Sequence, residues 1–222
     1  MELTKEQVQQ INNFLEAIGV EYIDIRFEMV DHIASDIENK VSNIPAFYED
    51  QRLHTHFLKY MLSRKKELKK RYDSILKKKF WSDALFILKD MVQQVIKPRN
   101  LAIISIVASI SFYMNKLQSI NTLYFPIILL IGYITYYVLK TREFIKTFGK
   151  LKIVHSYSLA GGIIINIAFQ FFNLSKIGNN NGDWNSSLFN TMLISFFGLF
   201  LSGESFISKM NTIKEKYNYL IE

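Results

Sequence analysis

The groups that could carry acid–base or metal chemistry in this 222-residue chain are four histidines and twenty carboxylates. Glu28 and His32 are four apart and share one helix face, with Asp31 and Asp36 nearby. His54 and His56 are two apart, which on a helix points them apart. A metal site needs converging ligands, and no HExxH or paired Glu-x-x-His spacing supplies them. His155 and Glu204 are the one acid–base pair that the membrane topology below could bring together. With no cysteine, thiol catalysis, zinc–thiolate sites and iron–sulfur clusters are excluded. No Walker loop, GxSxG or kinase signature occurs, and GNNNGD at Gly178–Asp183 reads as a turn. These residues point to no cofactor, no metal and a non-enzymatic role.

Charge is distributed unevenly along the chain. Residues 1–50 carry 11 acidic and 3 basic side chains, and residues 51–99 carry 14 basic and 4 acidic. Residues 100–222 hold 10 basic and 5 acidic side chains in a largely apolar background. Four apolar stretches there, at about 100–116, 122–140, 153–174 and 187–207, read as transmembrane helices. Between them the basic residues alternate. Lys89, Lys97 and Arg99 precede the first span, and Lys140, Arg142, Lys146, Lys150 and Lys152 separate the second and third. Lys209, Lys214 and Lys216 follow the fourth, whereas the other two loops carry one lysine each. Four spans with both termini cytoplasmic satisfy every loop. The expectation is an all-α protein of the bacterial inner membrane, with an N-terminal cytoplasmic helical domain and no signal peptide.

That domain covers residues 1–79. Thr4 and Gln7 have capping-box spacing, and Gly19 is placed as a helix stop. A second helix over about 22–42 has Met29, Val30, Ile33 and Ile37 at helical spacing and an acidic remainder. A third, basic helix is expected from about 46–51, with an apolar stripe interrupted at Arg64. Residues 80–97 form an amphipathic segment. Phe80, Trp81, Ala84, Leu85, Leu88, Met91, Val92, Val95 and Ile96 share one face, and Ser82, Asp83, Lys89, Asp90, Gln93 and Gln94 the other. Beside Lys77, Lys78 and Lys79, this Trp81-bearing helix suits the inner-leaflet interface and anionic lipid, or packing on the cytoplasmic domain. Nucleic acid is not expected, because no aromatics interleave the basic run. Residues 1–50 could also dock on the basic helix.

In the third span His155, Gly162, Asn166, Gln170 and Asn173 recur at helical steps. The face is either a bundle seam or a polar path. Ser195, Gly198, Ser202 and Ser205 form a small-residue stripe in the fourth, which suits a homodimer and equally a compact monomer.

The segment Ile23–Glu38, IDIRFEMVDHIASDIE, following Leu15 and Ile18 and carrying Glu28, His32, Ile33 and Ile37, resembles the second-helix signature of HAAS-type helical domains. The resemblance covers about residues 4–42 and the layout of a helical hairpin ahead of several spans. It implies a membrane signalling or regulatory partner. The long basic helix departs from that pattern. Apart from the resemblance, the acidic face of the second helix, with Glu28, Asp31, His32 and Asp36, is expected to meet a protein partner in a regulatory or assembly role. The rival expectation is a small transporter or channel lined by the third span, over the transmembrane domain 98–208, with 209–222 as a tail.

Overall fold

A computed structural model describes residues 2–49, 55–116, 120–177 and 184–220; His54 and the GNNNGD turn lie outside them. Among the described residues the chain is helical, with no strand. The helices are α1 (Lys5–Ala17), α2 (Ile23–Lys40), α3 (Ile44–Tyr48), α4 (His56–Ile96), α5 (Pro98–Lys116), α6 (Tyr124–Phe148), α7 (Lys152–Ile177) and α8 (Trp184–Tyr217). They divide into two compact units. The first holds residues 1–81, Lys150–Lys152 and the last four residues, and the second holds 82–149 and 153–218. The division falls inside α4.

In the first unit, α1 opens on the expected capping box. Thr4 Oγ1 accepts from the Gln7 N–H, and Gln7 Oε1 accepts from the Thr4 N–H at 2.8 Å. Gly19 reverses the chain at φ +93°, a conformation that a side chain would strain. Ile11 and Leu15 of α1 pack on Ile25, Met29, Ile33 and Ile37 of α2. Phe57, Met61, Leu68 and Tyr72 of α4 complete the core. Arg64 interrupts that stripe because it leaves the core to bond Asp36, Tyr60 and Glu67.

The expected helix from residue 46 is corrected by the structure. Asn43 caps the short α3, where Pro45 stands in the first turn. α4 starts only at His56, with Thr55 Oγ1 accepting from the Leu58 N–H. Asn43 and Thr55 each start a helix through a side-chain cap, and Glu49 after α3 is extended.

In the second unit, α6, α7 and α8 are each long and apolar enough to cross a membrane. α5 passes that test only together with α4, from which it is bent by 77°. The count is thus three spans, or up to four if the bent pair is one. α6 and α8 pack most extensively, around Phe189, Leu193, Phe196 and Phe200. The small stripe of α8 is buried at Ser195, Ser202 and Ser205, and a Cβ at Gly198 would strike Ile164 of α7. A Cβ at Gly203 would meet the Tyr133 hydroxyl, which donates to the Phe200 carbonyl at 3.1 Å. Gly203→Ala is therefore expected to lower stability by about 1–3 kcal/mol, the usual overpacking cost. Tyr133→Phe should recover part of the loss, because the closest colliding atom is the hydroxyl. Thermal melts of the two single variants and the double variant would check it.

Candidate functional site

Proline chemistry places the most connected polar cluster. The N–H of residue 98 would bond the Gln94 carbonyl in a continuous helix, but Pro98 has none. The Lys97 N–H donates to that carbonyl at 3.3 Å, and the Asn100 side chain adds a second donor, reaching Gln94 O at 3.0 Å and Gln94 Oε1 at 3.3 Å. Gln94 Nε2 in turn donates to Ser208 Oγ on α8 at 2.9 Å. Asn100 Oδ1 accepts from Arg99 at 3.1 Å, and Arg99 pairs with Glu204. Gln94, Asn100 and Glu204 are all buried. The network holds the α4–α5 bend against α8.

A second part lies further back on α4. Asp90, buried, accepts from the Tyr157 hydroxyl at 3.0 Å and faces the Lys209 ammonium at 3.4 Å. Asp83 accepts from Ser156 Oγ at 2.7 Å. Asp90 and Glu204, both buried, thus each meet a cation. Such pairing fixes geometry and compensates desolvation rather than presenting an open acid or base. Among the described residues no three His, Asp or Glu side chains are grouped to hold a metal ion. A cavity of about 230 Å³ between α6, α7 and α8 is lined by Tyr133, Tyr137, Tyr157 and Ser202. A groove of about 410 Å³ between α5, α6 and α8 ends at Arg99 and Glu204.

The sequence places Asp83, Asp90 and Gln94 on the polar face of residues 80–97 without showing which face turns toward the protein, so their part in the site goes unseen. The packing supplies the direction. Asp83, Ile87, Asp90 and Gln94, spaced by four, three and four, face the protein. Leu85, Leu88, Val92 and Ile96 face outward at 67, 58, 57 and 73% exposure. Trp81 is 70% exposed. Glu204 was singled out with His155 as partner; the structure pairs it with Arg99 and leaves the His155 side chain at the surface. The amides Asn166, Gln170 and Asn173 are likewise exposed along α7. The lining of the 230 Å³ cavity comes instead from Tyr157, Ser158, Gly161, Gly162 and Ile165 of that helix.

In the first unit, among the described residues, the acidic and basic segments meet through Asp36 and Arg64 and through Lys79. Asp36 bonds Lys40 and Arg64, each at 3.1 Å. The Lys40 hydrogen bond foremost, with Arg64, holds its carboxyl below the usual range. Lys79 meets Asp24 at 3.4 Å and Glu28 at 3.7 Å, so part of its charge is used within the chain. Lys77 and Lys78 are exposed. Asp24 is the most enclosed of these acids, its side chain 6% exposed. It also accepts from the Lys152 N–H at 3.0 Å, while the Lys150 carbonyl accepts from the N–H of Ile23, the first residue of α2. Outward on α2 stand Phe27, 45% exposed, beside Glu28, Asp31, His32 and Ser35, with Asn39 and Lys40 at the helix end. No protein-family model, curated protein or solved structure matches this chain.

Proposed function

We propose that this is a four-span protein of the bacterial inner membrane, with both termini cytoplasmic, that acts without catalysis as a regulatory, signalling or assembly partner. The alternation of lysine-rich and lysine-poor loops supports that topology. The resemblance of residues 4–42 to HAAS-type domains supports a regulatory role. The observation that carries the reading is the outer face of α2. Its back is committed to the core, and its front presents an exposed aromatic, Phe27, rimmed by Glu28, Asp31 and His32. An aromatic anchor inside a charged rim is the usual anatomy of a protein contact, and the acidic rim selects a basic partner.

The test uses the full chain, tagged at its C-terminus, crosslinked in native membranes and compared with a Phe27→Ala/Asp31→Lys variant. A protein captured by the wild type and lost from the variant is expected. Equal capture by both, or capture by neither, would remove the α2 surface from the proposal. A small transporter or channel along α7 is the alternative. Its amides are exposed in one chain, so a path along them requires a second copy to enclose it, and a homodimer belongs to that reading.

A further inference from the structure

We propose that the outward face of α4 between Leu85 and Ile96 lies among the acyl chains of a phospholipid leaflet. The proposal rests on the membrane placement of α6–α8, but not on the α2 contact surface. Its basis is the phase of the helix. An amphipathic helix on a water-soluble body turns its apolar stripe inward. Here Asp83, Asp90 and Gln94 of the polar stripe are inward and satisfied there, Asp83 by Ser156, Asp90 by Tyr157 and Lys209, and Gln94 by Ser208 and Asn100, while Ser82, Lys89 and Gln93 stay exposed at its edge. The apolar stripe of Leu85, Leu88, Val92 and Ile96 is outward. Water penalises that arrangement, whereas hydrocarbon demands it, because polar groups there must be satisfied within the protein.

Three further observations favour lipid over a protein covering. The exposed apolar surface continues past the bend onto α5, through Leu101, Ile106, Ile110 and Phe112. It has the same character as the outward surface of α6 at Ile128, Ile131 and Leu139. Lys89 and Lys97 flank the stripe with exposed side chains long enough to reach anionic headgroups. Trp81 stands at its N-terminal end beside the exposed Lys77 and Lys78, the residue types that anchor a helix at headgroup depth. The bend at Pro98 then separates a helix embedded along the leaflet from one that enters it.

The chain has no cysteine, so single cysteines can be labelled without background. Leu85→Cys, Leu88→Cys and Val92→Cys alter exposed side chains only. The full-length variants, carrying a nitroxide, are reconstituted in vesicles of phosphatidylethanolamine and phosphatidylglycerol. Collision rates with oxygen and with a water-soluble nickel chelate are compared with those of Asp31→Cys, and Ile131→Cys on α6 serves as the lipid reference. The expected result is an oxygen-to-nickel ratio at all three α4 sites several-fold above that of Asp31→Cys and close to that of Ile131→Cys. A ratio equal to that of Asp31→Cys, with Ile131→Cys lipid-exposed, would overturn the α4 assignment alone. Shielding from both reagents would mean that a second copy or another protein covers the stripe, and would overturn it equally. Nickel access at Ile131→Cys would overturn the membrane placement itself.

Discussion

Replacing Arg99 with alanine is expected to lower the melting temperature of the detergent-solubilised protein by roughly 5–10 °C. Glu204 is the reason. Its carboxylate side chain is 6% exposed and Arg99 is its cation. Removing one partner of a buried pair costs about 3–5 kcal/mol, because the other charge is left uncompensated. The Arg99 side chain is itself 66% exposed. Water entering its vacated place softens the loss, which places the cost at about 2–3 kcal/mol. At about 2–4 °C per kcal/mol for a chain of this size, the expected shift follows. Two further variants separate electrostatics from packing. Glu204→Gln keeps an acceptor without the charge and should melt closer to the wild type than Arg99→Ala. In Arg99→Ala/Glu204→Gln no charge is stranded, so the double variant should be more stable than Arg99→Ala alone. A melt of Arg99→Ala within about 1 °C of the wild type would show that the pair contributes little.

Asp24→Ala is expected to cost about 2–3 kcal/mol, from the loss of a charge-assisted hydrogen bond to a backbone N–H and of a lysine contact at an enclosed carboxylate. The acceptor of the Lys152 N–H disappears, and Lys79 keeps only Glu28. The effect should be local as well as global. Hydrogen exchange in a peptide spanning Lys150–Lys152 should accelerate by one to two powers of ten (~1.4 kcal/mol for each), with the middle of α1 much less affected. Asp24→Asn retains an acceptor for the N–H and should fall between the alanine variant and the wild type. Unchanged exchange in Asp24→Ala would remove this carboxylate from the account of how Lys150–Lys152 is held.

Both residues show what a sequence reading can reach. The capping box at Thr4 and Gln7, the turn at Gly19 and the core positions of α2 depend on neighbours within a few residues, so spacing alone reveals them. The apolar helices α6, α7 and α8 are legible for the same reason. The start of α4 is also local in origin. Thr55 is a cap residue one position before it, as Asn43 is for α3, and a search for glycine or proline within the run overlooks both. Other features need partners distant in sequence. Asp24 reads as one acid among many until Lys152, 128 residues away, is brought to it. Arg99 and Glu204 are 105 apart. Residues 80–97 show a different limit. Periodicity finds the line dividing an apolar from a polar stripe, but it carries no sign. Asp83, Asp90 and Gln94 turn inward only because α7 and α8 offer Ser156, Tyr157, Ser208 and Lys209. The amides of α7 have the same ambiguity, and the structure resolves it outward.

The place where α4 passes from one unit to the other also dictates how the chain can be cut. On the proposed topology, with the first unit in the cytoplasm, a water-soluble fragment should end close to Trp81, where that unit ends within α4. Extending it to Lys97 would add Leu85, Leu88, Val92 and Ile96 on one side of the helix. On the other it would add Asp83, Asp90 and Gln94 stripped of their bonding partners. Neither side of such an extension suits water, so the longer fragment would aggregate on expression where the shorter one stays dispersed. The shorter fragment still lacks Lys150–Lys152, and grafting those residues back through a flexible linker would restore the partners of Ile23 and Asp24.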